Sequence, residues 1–153
     1  MRITTVLIAF GLVVGVAPQG MAQSQLTTIE SMYSVEETAD RLAETLEAKG
    51  IKIVARIDHA AGAKSVGLDM PATEVMMFGN PKLGTPLMLA NPEIGIDLPM
   101  KMLIWQGADG KVRLGYIEPA SLMTRYGIAG KDEVFKTMAG ALAAFAKAAT
   151  GAE

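Results

Sequence analysis

The chain has 153 residues, with 14 basic and 16 acidic side chains, one histidine and no cysteine. This length predicts one domain, and without cysteine a single hydrophobic core must stabilise it. The formal net charge is −2 and no run of Lys or Arg occurs, which argues against nucleic acid or an anionic membrane surface as a partner.

Residues 1–22 have the pattern of an export signal. Arg2 provides a positive start, the apolar run that follows is too short to span a bilayer comfortably, and Gly20 and Ala22 are small residues before the expected cleavage site. The alternative is an uncleaved membrane anchor. We expect cleavage, which gives a periplasmic or secreted domain of residues 23–153 with no membrane attachment. Its net charge is −3, because Arg2 is the one charged residue removed.

The N-terminal half predicts a strand, a helix and two more strands. Ser34 is a good N-cap and Glu37 completes a capping box, after which apolar residues recur at helical spacing until Gly50 ends the helix. Alternation of apolar with mostly polar residues predicts the second strand. The strands are expected at 26–33, at 51–58 with Ile51, Ile53, Ala55 and Ile57 on its apolar face, and at Thr73 to Phe78.

Prolines and glycines punctuate residues 79–100. Within this segment, Thr85 and Pro86 predict the N-cap and first position of a short helix that ends at Ala90. Two strands, a short helix and a long helix are expected after it. They are a strand from Lys101 to Gln106, a hairpin turn, a strand from Lys111 to Ile117, a short helix opened by Glu118 and Pro119, and a last helix from Lys131 to Ala149.

This order of elements predicts an α+β fold. The short links among the last four strands favour an antiparallel meander, and helices are expected to cover one face of the sheet. The residues expected in the core are Leu42, Leu46, Ile53, Ile57, Val75, Ile104, Leu114, Leu142 and Phe145.

Four segments resemble the domain-of-unknown-function 302 family. They are ETADRLAETLEAKGIKIVARIDHAAGAKSVG, FGNPKLGTPLM, IDLPMKMLIW and GYIEPASLMTRYG, and they follow the family's order and spacing from about Ser34 to Gly127. The resemblance implies a β-α-β(4)-α arrangement of the TATA-binding-protein-like class, in agreement with the order of elements above. It also implies a homodimer, but it implies no activity, and fold alone assigns none.

His59 is the only histidine, and with Asp58 it is the candidate acid/base pair. Adjacent strand residues point to opposite faces, so the alternative is a structural histidine that ends the strand and hydrogen-bonds the next loop. The sequence shows no recognisable serine triad and contains no cysteine nucleophile. The interpretation therefore favours a protein without catalytic activity, and a hydrolase or isomerase with His59 as general base is the alternative.

Methionine is abundant, with 11 residues in the chain. Thioether ligands suit soft metals, and a methionine with His59 would suit haem iron, but methionine more often fills irregular cores. The methionines considered are Met76, Met77, Met88, Met100 and Met102. Because the Cys-x-x-Cys-His haem-attachment motif is absent, we expect no metal and no cofactor.

A meander brings the end of the third strand, the start of the fourth and the end of the fifth to one end of the sheet. We expect a ligand-binding patch there, with His59 at the opposite end, roughly 20 Å away. Its members are Asn80, Thr85, Asp97, Lys101 and Glu118. The leading hypothesis is an exported, non-catalytic module that binds a small ligand or a protein partner through residues 79–101. In the alternative, Lys101 neutralises Asp97 or Glu118 and the cluster is a structural latch.

Overall fold

The computed structural model describes residues 26–152, and the expected signal segment 1–22 lies outside the described residues. Five strands and five α-helices make up this part of the chain, with a 3-10 helix, Pro92–Ile96, before the fourth strand. The elements are β1 Leu26–Glu30, α1 Val35–Ala48, β2 Lys52–Asp58, α2 His59–Ser65, β3 Thr73–Gly79, α3 Pro81–Ala90, β4 Met100–Gln106, β5 Val112–Ile117, α4 Pro119–Arg125 and α5 Asp132–Thr150.

The strands form one antiparallel sheet in the order β1-β5-β4-β3-β2. Strands β2 to β5 follow one another as a meander, and β1 adds to the far side of β5, with Leu26 opposite Ile117. Helices α1 and α5 pack against each other and against the sheet. The predicted α+β fold, with an antiparallel meander, is confirmed.

The first helix forms as its local signals predict. The Ser34 hydroxyl accepts a hydrogen bond from the backbone N–H of Glu37 at 3.1 Å, which satisfies one of the free donors of the first turn. Gly50 has a φ of 66°, the left-handed conformation that a residue following a helix often takes. The apolar stripe between these ends, which includes Leu42 and Leu46, is fully buried.

Strand β2 contains an irregularity at Val54 that changes which side chains face the core. Ile53 pairs with Phe78 but Ala55 pairs with Met77, so Val54 is an extra residue in the ladder. Beyond it, Ile57 lies opposite Val75 on the face away from α1 and α5, which we call the open face. Ile57 is 42% exposed.

The core prediction is therefore wrong at three positions. Ile57 is exposed and Val75 is half-buried, because the strand register changes at the bulge and the open face lacks the cover that α1 and α5 give the other face. Ile53 precedes the bulge and packs against the core, but it is half-buried rather than buried. The remaining predictions are confirmed. The buried residues among them are Leu42, Leu46, Ile104, Leu114, Leu142 and Phe145.

Helix α3 begins five residues earlier than predicted, at Pro81 rather than Pro86. The side chain of Asn80 accepts a hydrogen bond from the N–H of Lys82 at 3.0 Å, and Pro81 occupies the first helical position. The predicted cap at Thr85 is wrong because Asn80 and Pro81 already provide a complete helix start. Pro86 lies inside the helix.

Helix α2 and the 3-10 helix were not predicted. Asp58 caps α2 by accepting a hydrogen bond from the N–H of Ala61 at 2.9 Å, and Asn91 caps the 3-10 helix through the N–H of Glu93. Over residues 26–152, none of the helices combines the length and the apolarity needed to cross a membrane.

Candidate functional site

A cavity of about 580 Å³ lies where β2 and the end of β3 meet α3 and α5, and we call it the α3 cavity. Its volume is within the range of sites for small organic ligands, roughly 300–1,000 Å³. Most of its lining is apolar. The apolar residues that line it are Ile51, Val54, Phe78, Gly79, Pro81, Leu83, Gly84, Met88, Leu98, Pro99, Met100, Met138, Ala141, Leu142 and Phe145.

Buried core residues form the floor of the α3 cavity. Phe78 of β3 and Phe145 of α5 meet edge to face, with ring centroids 6.1 Å apart. Leu142, also on α5, is buried beside this pair of aromatic rings. The floor therefore offers an apolar surface to any molecule that enters the cavity.

Exposed residues of β2 and α3 form the rim of the same cavity. Val54, the bulge residue, is 56% exposed, and Met88 is 38% exposed. Lys52 and Thr85 are also exposed. The cavity thus opens to solvent between the first half of β2 and α3. The bulge contributes to this rim, because its extra residue, Val54, lines the cavity.

Three polar side chains of residues 26–152 line the α3 cavity, and all three can donate hydrogen bonds: Lys52, Asn80 and Thr85. Within residues 26–152, Lys52 makes no ion pair, the Thr85 hydroxyl makes no hydrogen bond, and Asn80 uses only its carbonyl oxygen, as the α3 cap. No aspartate or glutamate of this part of the chain lines the cavity, so its one charged lining residue is a cation.

A second cavity, of about 280 Å³, has His59, Asp97 and Lys101 in its lining. Apart from these three residues, the described part of its lining is apolar except for Tyr116. The strand register agrees with the expected placement of His59 at the opposite end of the sheet from Asp97 and Lys101. Asp58, which precedes His59, lies opposite Glu74 near the end of β4, whereas Lys101 is at the start of β4. The cavity runs along the open face between these two ends.

His59 and Asp58 do not form an acid/base pair in this arrangement. His59 begins α2 rather than ending β2, it is exposed, and it makes no hydrogen bond within the described residues. The Asp58 carboxylate caps α2 through the N–H of Ala61. The sequence analysis placed His59 at the end of a strand because the small residues that follow give only a weak helix signal.

Asp97 belongs to a latch whose partners the sequence analysis missed. Its Oδ2 accepts hydrogen bonds from the Tyr126 hydroxyl at 2.6 Å and from Nη1 of Arg125 at 2.9 Å. The bond to Asp97 raises the pKa of Tyr126 and that of Arg125 above their ordinary values. These contacts tie the segment before β4 to the end of α4.

Lys101 does not neutralise a carboxylate, so that version of the predicted latch is wrong. Its Nζ donates to the main-chain oxygens of Asp97 and Pro99, each at 3.3 Å. The cation that pairs with Asp97 is Arg125 instead, because the end of α4 lies closer to the Asp97 carboxylate than the Lys101 ammonium does.

Glu118 stands apart from the other predicted ligand residues. It precedes α4 without capping it, and its Oε2 is buried with no hydrogen-bond partner among the described residues. Burial, and secondly the charge of Glu118, raise the pKa of the neighbouring Tyr116 hydroxyl. Glu118 lines neither cavity.

The end of β3, the start of β4 and the end of β5 meet at one end of the sheet as predicted, but the five predicted ligand residues do not line one cavity. Asn80 and Thr85 line the α3 cavity, while Asp97 and Lys101 line the second cavity. Their contact with a ligand stays a prediction. Lys52 and Ala141 are among the α3-cavity residues absent from the predicted site, because nothing in their local sequence marks them.

The methionines considered as metal ligands are dispersed through the fold. Met76, Met100 and Met102 are buried in the core, Met77 is half-buried on the open face, and Met88 lines the α3 cavity. Within residues 26–152, no three side chains of His, Asp or Glu lie close enough together to hold a metal ion.

Comparison with known proteins gives one family and several relatives. The family described as "Domain of unknown function DUF302" matches residues 27–145. The crystal structure of an uncharacterised conserved DUF302 protein from Bacillus stearothermophilus matches 82% of this chain and 98% of its own, with a TM-score of 0.73 and 21% identity. At that identity the likeness shows a shared fold.

Two curated relatives come from Brucella. The protein named fluoride-specific ion channel FluC 1 of Brucella suis is 41% identical over 129 residues, which are 84% of this chain and 51% of that protein. The protein of the same name from Brucella abortus is also 41% identical, over 48% of its length. The chain thus spans about half the length of the curated relatives it matches.

Proposed function

The chain belongs to the DUF302 family, whose description assigns no activity, and from the α3 cavity we propose that it binds a small, largely apolar molecule. The observation that carries this proposal is a cavity of about 580 Å³ with an almost wholly apolar lining and an exposed rim. In agreement with the sequence analysis, the proposal is for an exported, non-catalytic binding domain.

Hydrophobic burial is the driving force that this cavity provides. Apolar walls hold water poorly, and an apolar group that displaces such water gains free energy on binding. The ligand would lie against Phe78 and Phe145 and be covered by α3, within the segment 79–101 that the sequence analysis singled out. That segment therefore acts here as one wall of a cavity.

The second cavity supports an enzyme less well. A general base needs a group that orients it, and the carboxylates of Asp58 and Asp97 are engaged elsewhere. Asp97 accepts hydrogen bonds from Arg125 and Tyr126, and Asp58 caps α2. His59 is thereby left without an acidic partner within the described residues.

The Brucella relatives are named as fluoride-specific ion channels, and the segment they share with this chain is about half of each. Conduction is the named property of those whole proteins. The proposal for this chain concerns ligand binding by the shared domain.

Titration with N-phenylnaphthylamine, a neutral fluorescent probe of apolar sites, tests the proposal. Wild-type protein should enhance its fluorescence and saturate at one probe per chain. Ala141→Phe places a ring in the α3 cavity and should weaken binding by about tenfold or more. Ala143→Phe, on the exposed side of α5, is the matched control and should bind like wild type.

The denaturation midpoints of both variants show whether they fold. The proposal is overturned if wild-type protein shows no saturable binding, or if two folded variants bind the probe equally well.

A further inference from the structure

Among the described residues, the lining of the α3 cavity has one formal charge, and that charge is positive. We infer that the ligand of this cavity is an anionic amphiphile, whose apolar chain fills the floor and whose acidic head group is held by Lys52. The inference rests on the proposed function and adds the chemical class of the ligand.

Lys52 differs from the other basic residues of the sheet because it has no partner within residues 26–152. Arg56 pairs with Asp40 and Glu74, and Arg113 pairs with Asp109. Lys101 donates to two main-chain oxygens. The ammonium of Lys52 is therefore available to a ligand without breaking an ion pair of the described fold.

Lys52 is placed where it could contact the acidic head group of an amphiphile bound in the α3 cavity. It is the first residue of β2, opposite Gly79, and it is an exposed residue of the cavity lining, whereas Phe145 in the same lining is buried. Asn80 and Thr85 line the same cavity, and each retains a donor that the described fold does not use. An ammonium, an amide N–H and a hydroxyl together suit an anionic oxygen group.

Two further observations restrict the ligand. No carboxylate of the described residues lines the cavity, so an acidic head group meets no repulsion there. The volume of about 580 Å³ equals the volume of on the order of twenty water molecules. One medium-length acyl chain with a small head group is of that size, whereas a two-chain lipid is larger.

Displacement of bound N-phenylnaphthylamine by dodecanoate and by dodecanol tests the inference, because these amphiphiles share a chain and differ in charge. At about pH 8, where the carboxylic acid is ionised, wild-type protein should bind dodecanoate about tenfold more tightly than dodecanol. Added salt should reduce this preference, because it screens an exposed ammonium.

Lys52→Met keeps an apolar stem and removes the charge, so it should reduce the preference for dodecanoate over dodecanol to about twofold or less. Lys49→Met is the matched control: Lys49 is also exposed but does not line the cavity, and its substitution should leave the preference intact.

Each outcome separates the inference from the proposed function. If the probe binds wild-type protein and both amphiphiles displace it equally, or neither does, the inference is overturned and apolar binding stands. Equal loss of preference in the Lys52 and Lys49 variants also overturns it. If the probe itself does not bind, the proposed function fails.

Discussion

Asp109 and Arg113 close the turn between β4 and β5 with a two-point ion pair. Nη1 of Arg113 donates to Oδ1 of Asp109 at 2.9 Å, Nη2 donates to Oδ2, and the N–H of Lys111 donates to Oδ1 at 3.2 Å. The Arg113 hydrogen bonds, and then the Lys111 N–H, lower the pKa of Asp109 to about 2. Both side chains of the pair remain partly in contact with water.

An NMR titration of the Asp109 carboxyl group tests the lowered pKa directly. Asp109 should titrate with a midpoint of about 2 in the wild type, and Arg113→Gln should move the midpoint towards the ordinary aspartate value of about 4. A wild-type midpoint near the ordinary value would contradict the hydrogen-bond geometry. The α3 cavity is not lined by either residue, so probe binding should not change in this variant.

The lowered pKa of Asp109 also determines how the stability of the fold depends on pH. Because the folded state lowers the pKa of Asp109, the pair stabilises the fold above the unfolded-state pKa, about 3.9. That contribution is lost as the pH falls towards about 2.

At the residue scale, site residues with a local signal could be predicted from the sequence, whereas contacts between distant residues could not. Asn80 was predicted as a ligand residue and does line a cavity, since its place after a strand and before a proline is a local signal. Asp97 was assigned the wrong cation because Arg125 lies 28 residues further along the chain. Only the packing of α4 brings the two side chains together.

At the scale of elements, both α1 and β2 contain regularly spaced apolar residues, but the spacing predicts burial correctly only in α1. Leu46 of α1 is fully buried, whereas Ile57 of β2 is 42% exposed because it follows the bulge at Val54. A helix stripe depends on local spacing, which the sequence displays directly. The facing of a strand residue depends on the register with its neighbour, and one inserted residue reverses it.

Substitution of Leu46 and Ile57 by alanine compares how much the burial of each side chain stabilises the fold. Leu46→Ala should lower the free energy of unfolding by roughly 2–5 kcal/mol, through lost burial and the cavity it leaves. Ile57→Ala should cost less than half of that, because much of its side chain is already in water. Urea denaturation gives both values, and equal costs would show that the register of β2 is wrong.

The meander and the helices that cover it could be predicted because their signals are local and their links are short. Capping at Ser34, the hairpin turn before β5 and the proline at the start of α4 all appear in the structure where they were expected. Helix α3 could not be placed correctly, because two successive Asx/Thr-Pro pairs, Asn80-Pro81 and Thr85-Pro86, offer equally good helix starts.

At the scale of the molecule, the α3 cavity is a space left between β2, α3 and α5, whose facing side chains line it. On α5, Leu142 and Phe145 were predicted as core residues, and both are buried and form an apolar stripe with Met138, which is buried as well. Whether such a stripe contacts side chains or borders a cavity depends on the distance between α5, α3 and β2, which no local pattern encodes. The fold was therefore predictable, while the candidate site within it required the structure.

Methionine methyl groups allow the most direct test of ligand binding in the α3 cavity. In protein labelled at the methionine methyl carbons and assigned by single Met→Leu substitutions, the neutral probe should shift the resonances of Met88 and Met138, which line this cavity. Met32 and Met70, which are exposed and line neither cavity, should not shift. If Met100, which borders both cavities, shifts while Met88 and Met138 remain unchanged, or if all five shift alike, the account of the α3 cavity as the binding site is contradicted.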